Sequence, residues 1–415
     1  MTEQANGPDP AVADRDARVQ AVMHQSIIVL AACALGLTVL GVIMVYSAIT
    51  PGAYQDAGNG GSFRSAGFQT VYAVLGVIAG VVTAIFPLQF YRRYWKWILA
   101  AGVLLQVLVF TPLGVAVAGN RNWVALGPVR FQPSEFLKLA LIVGLAATVV
   151  TVKKPRATEW REIVHEWRWP FFITLLALGS VLAGFDMGTA IIVAMIAVAV
   201  LWLGGLSGRF FGVITLLAVL AGALLVAMSP SRLARIGDYF STLFTMPKGP
   251  DPSQADYALW AFGSGGLGGS GLGTGVQKWP GNMAEAQTDF IFAVVGEELG
   301  FFGCLVVVLM VLGIGWALLR IARAHPHRFA RLLCGGVAVW LCGQALVNML
   351  VVTGLLPVFG VPLPFMSQGG SSVIACLVAV GVALSCALSV PGVRESFRRS
   401  PRLASRVRSV VPEEA

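Results

Sequence analysis

The chain has 415 residues, and only 12% of them are charged, about half of the ~25% that soluble domains carry. Hydrophobic residues make up 57% of the chain and recur in runs long enough to cross a bilayer as helices, which excludes a soluble globular protein. The net charge of +9 does not indicate nucleic-acid binding, because the basic residues lie in short loops between apolar runs, as in membrane proteins.

The apolar runs predict an all-α fold, a polytopic transmembrane bundle of about ten helices, because only helices and closed barrels satisfy the backbone inside a bilayer. The predicted membrane domain covers residues 26–392, between a disordered cytoplasmic tail at 1–25 and a basic cytoplasmic tail at 393–415. The predicted spans are 26–49, 68–88, 96–114, 135–152, 170–184, 188–205, 210–228, 289–319, 329–355 and 370–390.

The basic residues also predict the orientation of the bundle. Lys and Arg on the side of the two termini outnumber those on the other side roughly three to one. This bias places both termini in the cytoplasm and the long loop at 229–288 outside. The arginine-rich C-terminal tail fits contact with anionic lipids or docking of a cytoplasmic division protein. The six cysteines fall in apolar runs without metal-ligand spacing and are predicted to be buried small side chains.

The first polar cluster, at 119–138, lies on the outer side and leads into the fourth span. Glu135 and Lys138 are three residues apart and therefore share one face of a helix. Because an unpaired ammonium inside the span is costly, Lys138 is predicted to face the protein interior and to pair with a carboxylate. Glu135 and Asp186 are the two candidate partners. The same residues fit a purely structural role, as an ion pair that docks helices and, for Asp186, as a helix cap.

The loop at 229–288 contains several prolines and a glycine-rich stretch at 263–273. A loop of this length is uncommon unless it is functional. Its glycines fit two interpretations, a cradle whose backbone N–H groups bind phosphate or a flexible loop that packs against the protein. The stretch lacks the Lys-Ser/Thr ending of a P-loop, which disfavours a nucleotide site.

Asp289 is the central candidate for a functional residue. It lies where the long polar loop meets the eighth span, with Glu285 four residues before it and Glu297 and Glu298 after it. A carboxylate at the mouth of a membrane helix is poorly solvated and by default indicates a functional site. The alternative is that Asp289 caps the helix N-terminus, where its charge is favourable.

A third polar cluster, at 361–372, is an outer loop that leads into the last span. Its prolines prevent a regular helix, so its backbone must be buried in protein or line a wet cavity. Its serines could bind a sugar or a phosphate, or form a simple capping turn. The three clusters share the outer face, and their acids and cations fit either group transfer on a lipid-linked phosphate or ion-coupled transport.

Short motifs in these clusters resemble those of a known family. They are GNRNW (119–123), QPSE (132–135), DMGT (186–189), TDFIFA (288–293), GEELG (296–300) and PLPFMSQGGSS (362–372). In this order they resemble the SEDS family (shape, elongation, division and sporulation), which includes FtsW, RodA and SpoVE, over about residues 27 to 390. MVYS (44–47), GLG (271–273) and QK (277–278) are more similar to the FtsW branch than to the RodA branch.

The resemblance implies a peptidoglycan glycosyltransferase of the bacterial cytoplasmic membrane, which polymerises lipid II at the outer face during cell division. Asp289 would be the catalytic carboxylate. It would take a proton from a sugar 4-hydroxyl that attacks the anomeric carbon of an undecaprenyl-linked glycan with inversion, releasing undecaprenyl pyrophosphate. The implied substrate-binding or cavity residues are Glu135, Lys138, Asp186, Arg121, Trp123, Lys278, Glu285, Ser367 and Ser371.

The resemblance also implies partners, namely a class B penicillin-binding protein and other division or elongation membrane proteins, and it implies no nucleic acid. A divalent cation, Mg²⁺ or Mn²⁺, is an optional cofactor that could neutralise the leaving charge. Gln287 stands where the family usually has His, and Gln368 stands where Tyr is common; these departures concern substrate contacts and pH dependence. Two other functions stay open at this point, a lipid II flippase or other lipid-linked transporter, and a non-catalytic scaffold for a penicillin-binding protein.

Overall fold

The computed structural model describes residues 10–55, 61–117, 120–127, 129–154, 159–227, 233–234, 236–237, 239–240, 252–279, 282–283 and 285–399. Most of these residues are helical, and three short strands form one small sheet. In chain order the elements are α1 Pro10–Gln55, α2 Gly61–Ile85, α3 Leu88–Val107, β1 Gly114–Val117, β2 Asn120–Leu126, β3 Val129–Phe131, α4 Pro133–Val149, α5 Trp160–Leu182, α6 Met187–Leu203, α7 Gly208–Ala227, α8 Gln254–Gly265, α9 Ile291–Ala324, α10 Arg328–Val352, α11 Gly370–Leu388 and α12 Val393–Arg399.

The architecture is that of a polytopic helical membrane protein, as the sequence predicts. Among the described residues, six helices are long and apolar enough to cross a membrane, namely α1, α2, α3, α9, α10 and α11. Two shorter apolar helices are α6 and α7, and α4 and α5 occupy the two remaining predicted spans. Each of the ten predicted spans therefore overlaps a helix, and the predicted fold class is confirmed. The span predicted at 96–114 is displaced, because α3 runs from Leu88 to Val107 and Gly114 already belongs to β1.

The two predicted tails differ from expectation. Because α1 begins at Pro10, the stretch 1–25 is not a disordered tail as predicted but is helical from that residue onward. Residues 1–9 lie outside the described part of the chain. At the other end, the basic tail forms the short helix α12 as far as Arg399, and residues 400–415 again lie outside the described part.

Two elements in the loops between the membrane helices were not predicted from the sequence. The first is α8, which starts at a capping box between Ser253 and Asp256, within the loop predicted as one long connection. The second is the antiparallel sheet between α3 and α4, in which β2 pairs with both β1 and β3. Such short strands give only a weak alternation signal in the sequence.

The helix α4 lies at the centre of the bundle. All of its residues except Phe136 are buried, and it packs against α3, α5, α6, α10 and α11. Because protein rather than lipid surrounds it, this helix can carry the charges of Glu135 and Lys138, which would be very costly on a lipid-facing surface.

The helix α9 is broken at Gly300, whose φ of 65° is in the left-handed region that glycine tolerates best. The segment 266–279, here called the glycine-rich loop, fills the break. It accepts hydrogen bonds from the N–H groups of residues 301–302 and donates to the carbonyls of residues 297–298. The loop therefore satisfies backbone groups that the broken helix leaves unpaired and that lipid could not satisfy.

Candidate functional site

Asp289 lies in the turn directly before α9. The residue that caps this helix is Phe290, and it makes no side-chain capping hydrogen bond. Among the described residues we find no donor to the Asp289 carboxylate, so the interpretation of Asp289 as a helix cap is wrong. The side chain is partly exposed, and its Oδ2 atom lies next to Gly360, 3.5 Å from the point where a Cβ atom would stand.

The backbone of this turn is fixed by the loop that precedes α11. The Gln287 carbonyl accepts a hydrogen bond from the N–H group of Gln368 at 2.8 Å. The next carbonyl, of Thr288, accepts one from Ser367 Oγ at 2.7 Å, and the same hydroxyl oxygen accepts from Leu363 N at 2.7 Å. The two positions that depart from the family pattern, Gln287 and Gln368, are therefore direct neighbours in the fold.

A third carbonyl of the turn is held by α10. Asn348 Nδ2 donates to the carbonyls of Asp289 and Val361 at 2.7 and 2.8 Å, and Gln344 Nε2 donates to the Pro362 carbonyl at 2.8 Å. Neither amide is among the site residues predicted from the sequence. They are four residues apart in an apolar span, so they share one helix face, and polar residues inside a span are themselves a signal of function.

The prediction that Lys138 faces the interior and pairs with a carboxylate is confirmed, with Glu135 as the partner. Lys138 Nζ lies 2.9 Å from Glu135 Oε1 and 2.7 Å from Gln344 Oε1, and both charged residues are 1% exposed. The ring of Trp340 lies beneath the ammonium, 4.9 Å away at its centroid. A π turn at Val339–Gly343 contains Trp340 and leads directly into Gln344; such turns are frequent at functional sites.

Asp186 has no described contact with Lys138. Its carboxylate accepts hydrogen bonds from Asn122 Nδ2 at 2.9 Å and Gln132 Nε2 at 3.0 Å. It also accepts from the N–H group and the hydroxyl of Thr189, at 3.0 and 2.8 Å, and thereby caps α6. The helix-cap interpretation of Asp186 is therefore confirmed, and its carboxylate joins the sheet to α6.

Burial, then the charges of Glu285 and Asp186, raise the pKa of Asp289 to about 7. Burial disfavours the ionised carboxylate because it removes water, and each neighbouring carboxylate repels it further. Glu285 is exposed, and its Oε2 atom accepts a hydrogen bond from the Thr288 hydroxyl at 2.6 Å. A carboxyl group with a pKa near 7 can serve as a general base at neutral pH.

Lys278 lies inside the protein and is 4% exposed. Its Nζ atom donates to the carbonyl and the hydroxyl of Ser47 at 2.9 and 2.8 Å and pairs with Glu298 Oε1 at 2.5 Å. An ammonium group has three donors, and all three are used here. Lys278 therefore joins the glycine-rich loop to α1 and α9 and offers no free charge to a substrate in this structure.

The glycine-rich loop uses its N–H groups on carboxylates of the protein itself. Val276 N donates to Glu297 Oε1 at 2.7 Å, and Gly273 N donates to Glu298 Oε2 at 3.1 Å. A Cβ atom at Gly269 would lie 2.1 Å from the Glu298 carbonyl oxygen, so glycine is needed for close approach. The packing interpretation of the glycines is confirmed, and these N–H groups are not available to a phosphate.

Arg121 and Trp123 lie on β2, at the same end of the bundle as the candidate site. Arg121 is exposed, and its guanidinium group donates to the Thr111 carbonyl at 2.9 Å. Trp123 is half-buried and stands opposite Val115 in the sheet. In the described part of the chain neither side chain contacts Asp289.

Ser371 is bound to the protein in the same way as Ser367. Its hydroxyl oxygen accepts a hydrogen bond from the N–H group of Gln132 at 3.1 Å, which links the start of α11 to the start of α4. Neither serine caps α11, whose N-cap residue Gly369 makes no side-chain capping hydrogen bond, so the capping-turn interpretation is wrong. Both hydroxyls instead join the loop to neighbouring segments, and their contact with a sugar stays a prediction.

The site offers few ligands to a metal ion. No group of three or more His, Cys, Asp or Glu side chains within the described ranges could hold a metal ion. Asp186 already accepts four hydrogen bonds, so Asp289 and Glu285 are the nearby carboxylates with oxygen atoms to spare. Two carboxylates are too few to bind a metal ion alone. They fit an ion whose other ligands include substrate phosphates, as is usual for Mg²⁺.

The comparison with known sequences agrees with the geometry. The model of the FtsW/RodA/SpoVE family, described as cell cycle protein, matches residues 27–390. A probable peptidoglycan glycosyltransferase FtsW of Nitrosomonas europaea is 35% identical over 356 residues, which are 83% of this chain and 88% of that protein. A protein of the same name from Trichlorobacter lovleyi is 36% identical over 364 residues, 86% of this chain and 92% of that protein.

Solved structures show the same fold. A chain from a study of how a peptidoglycan synthase complex coordinates polymerization and crosslinking superimposes with a TM-score of 0.66 at 26% identity, covering 86% of this chain and 98% of that one. The rod shape determining protein RodA of Thermus thermophilus superimposes with a TM-score of 0.62 at 26% identity, covering 87% and 96%. The predicted resemblance is therefore confirmed over most of the sequence.

Proposed function

Because the chain belongs to the FtsW/RodA/SpoVE family of cell cycle proteins, we propose that it is a peptidoglycan glycosyltransferase that polymerises lipid II into glycan strands during cell division. Its relatives named probable peptidoglycan glycosyltransferase FtsW support this activity. The observation that carries the assignment of the site is the environment of Asp289, a partly exposed carboxylate without a described hydrogen-bond donor and with a pKa of about 7.

In the proposed reaction Asp289 removes the proton from the sugar 4-hydroxyl of an incoming lipid II molecule. The hydroxyl oxygen forms a bond to the anomeric carbon of the growing strand, and the bond from that carbon to undecaprenyl pyrophosphate breaks. The configuration at the carbon inverts, the electron pair leaves with the pyrophosphate, and the proton stays on Asp289 until solvent accepts it. Burial and the charge of Glu285 provide a base of suitable strength at neutral pH.

The charge on the departing pyrophosphate needs a cation. Lys138 and Lys278 are both held in buried ion pairs, so we assign this role to Arg121, which is exposed on β2. A guanidinium group can bind two phosphate oxygens at once. Lys138, with Glu135, acts instead as a positioning residue through Gln344, whose amide nitrogen holds the Pro362 carbonyl.

A divalent cation, Mg²⁺ or Mn²⁺, is a further proposal for the substrate complex. Glu285 fits as its protein ligand, because its exposed carboxylate accepts one described hydrogen bond and the remaining ligands would come from substrate phosphates and water. When bound, such an ion would neutralise phosphate charge, and no step above depends on it.

We also propose that both termini face the cytoplasm and that Asp289 faces outward from the bacterial cytoplasmic membrane. The excess of Lys and Arg on the side of the termini supports this orientation. We propose a class B penicillin-binding protein as partner, with support from the similarity to a chain of a peptidoglycan synthase complex, and other division or elongation membrane proteins as further partners.

The decisive experiment is strand synthesis by the purified full-length protein with its candidate partner and labelled lipid II. We expect long glycan strands from the wild type and none from Asp289→Ala, with normal yield and partner binding for both. Asp256→Ala is the matched control, because this carboxylate caps α8 outside the site and should leave synthesis intact. Addition of a chelator tests the divalent cation separately.

Other results would contradict the proposal. Full strand synthesis by Asp289→Ala would remove this residue from catalysis. Transport of labelled lipid II across vesicles without polymer, unchanged in Asp289→Ala, would indicate a flippase. Normal partner binding by a wild-type protein that never forms polymer would indicate a scaffold.

A further inference from the structure

An apolar cavity of about 450 Å³ opens between α1, α2 and α11, at the end of the bundle opposite to Asp289. Its volume lies within the range of small-molecule and lipid-binding pockets. Nearly all of its walls are aliphatic, including Ala31 and Leu35 of α1, Val81 of α2 and Leu384 of α11. At its mouth it meets two residues of α12, Arg394 and Phe397.

A close contact between two glycines forms the back of the cavity. A Cβ atom at Gly381 would lie 2.1 Å from the Gly80 carbonyl oxygen, and one at Gly80 would lie 2.8 Å from the carbonyl oxygen of Leu377. The cavity, here called the slot, is therefore bounded by the closely packed helices α2 and α11 and by α1.

The mouth of the slot is basic and is held in a defined place. Phe397 of α12 stacks on His24 of α1 at 4.3 Å between ring centroids, and Gln20 Nε2 donates to the Pro391 carbonyl at 3.1 Å. Arg394 is exposed, and its Nη2 donates one long hydrogen bond, 3.3 Å, to the Ile85 carbonyl. Within the described part of the chain, the other N–H groups of its guanidinium have no partner and are available to bind an anion.

We propose that this slot binds one anionic phospholipid, with an acyl chain between α1, α2 and α11 and the phosphate on Arg394. The apolar walls fit a hydrocarbon chain, and the basic mouth fits a negative headgroup. A detergent-like or neutral lipid could fill the apolar slot, but it would bring no anion to Arg394. The site should therefore distinguish phospholipids by headgroup charge.

The test uses the full-length protein in nanodiscs that contain equal amounts of phosphatidylglycerol and phosphatidylcholine. After mild delipidation, native mass spectrometry counts the lipids that remain bound. We expect one retained phosphatidylglycerol in the wild type, and about tenfold less retention in Arg394→Gln, because a charge-assisted contact is lost. Arg394→Lys should restore most of the retention, which a mere change in folding would not explain.

A second pair of variants tests the slot itself. Ala31→Phe fills the slot and should reduce retention of every phospholipid about tenfold. Ala32→Phe is its control, because this neighbouring residue is exposed and is not part of the cavity wall. Arg92→Gln, an exposed charge at the start of α3, is the control for Arg394→Gln. Equal retention of both lipids by the wild type, or unchanged retention in Arg394→Gln and Ala31→Phe, would overturn the proposal.

Discussion

The side-chain amide of Asn348 donates a hydrogen bond of 2.7 Å to the backbone carbonyl of Asp289. The same amide nitrogen also donates to the Val361 carbonyl, so one buried residue of α10 links the candidate base to the loop before α11. Asn348 is 1% exposed, and its two amide hydrogens are both used. It therefore sets the position of the Asp289 backbone relative to the bundle centre.

Replacement of Asn348 by Leu should lower the rate of strand synthesis by roughly tenfold to a hundredfold, because small displacements of a catalytic group have effects of this size. The substrate concentration for half-maximal rate should change much less. Steady-state kinetics with labelled lipid II measures both quantities.

The control is Thr353→Val at the end of the same helix, where the hydroxyl bonds only to backbone carbonyls of its own turn. This variant should keep the wild-type rate. If Asn348→Leu and Thr353→Val have equal activity, Asn348 does not position the base.

Replacement of Lys138 by Met should destabilise the protein by about 3–5 kcal/mol, because Glu135 is left buried without its countercharge. The double variant Lys138→Met, Glu135→Gln removes both charges and should recover most of that stability. Thermal unfolding in detergent measures the change, and strand synthesis is measured on the same samples.

Activity of the double variant separates two roles of the ion pair. A stable double variant that remains inactive would show that Lys138 acts on the site as well as on the fold. Recovery of both stability and synthesis would mean that the pair serves only to dock helices. A single variant as stable as the wild type would contradict the buried pairing.

The sequence could predict the features that depend on one helix at a time. The spans follow from apolar length, and the Glu135–Lys138 pair follows from a spacing of three on a helix that must hide an ammonium. The choice of Asp289 as the candidate acid starts from its place at a helix mouth, and its catalytic role stays a prediction. Each of these predictions needs only local periodicity and the cost of burying a charge.

Features that depend on contacts between distant segments could not be predicted in this way. Lys278 stands in a polar outer loop, and nothing in its neighbourhood shows that Ser47, 231 positions away, completes its burial. The glycine stretch is equally consistent with a phosphate cradle until Glu297 and Glu298 are seen to occupy its N–H groups. In both cases the local sequence suggests groups that could bind a ligand, whereas in the fold these groups bind other residues of the same chain.

The substitution Gly269→Ala should detach the glycine-rich loop from the break in α9. Gly269 has a φ of 80°, and an added Cβ would meet the Glu298 carbonyl at 2.1 Å, so strain and overlap act together. We expect a loss of about 1–3 kcal/mol in the free energy of unfolding and faster proteolysis within residues 266–279.

Gly268→Ala is the matched control for this substitution, because nothing lies within 4 Å of a Cβ atom at that neighbouring position. It should leave both stability and proteolysis unchanged. Equal behaviour of the two alanine variants would argue against the tight packing of the loop on α9.

Strand synthesis should increase with pH through about 7, because Asp289 must lose its proton to act as the base and its pKa is raised to about 7. The charge of Glu285 contributes to that rise, so Glu285→Gln should lower the pKa of Asp289 and move the ascending limb to lower pH. Glu159→Gln is the control, because Glu159 precedes α5 at the end remote from Asp186. A pH profile that is identical in Glu285→Gln and wild type would contradict this electrostatic coupling.

The raised pKa of Asp289 also predicts a dependence of stability on pH. In the unfolded chain the group has a pKa of about 3.9, and in the folded protein it has a pKa of about 7, so the folded state binds the proton more tightly. The contribution of this group to stability is therefore fully present below pH ~4 and is lost as the pH rises towards ~7.

Asp289→Asn removes the ionisation and should raise the melting temperature relative to wild type at pH 8 but not at pH 4. Glu159→Gln, at an exposed carboxylate remote from Asp289, should show a smaller difference between the two pH values. If Asp289→Asn has the same effect on melting at both, the carboxylate is not destabilised by its surroundings, and its assignment as a neutral-pH base would lose its physical ground.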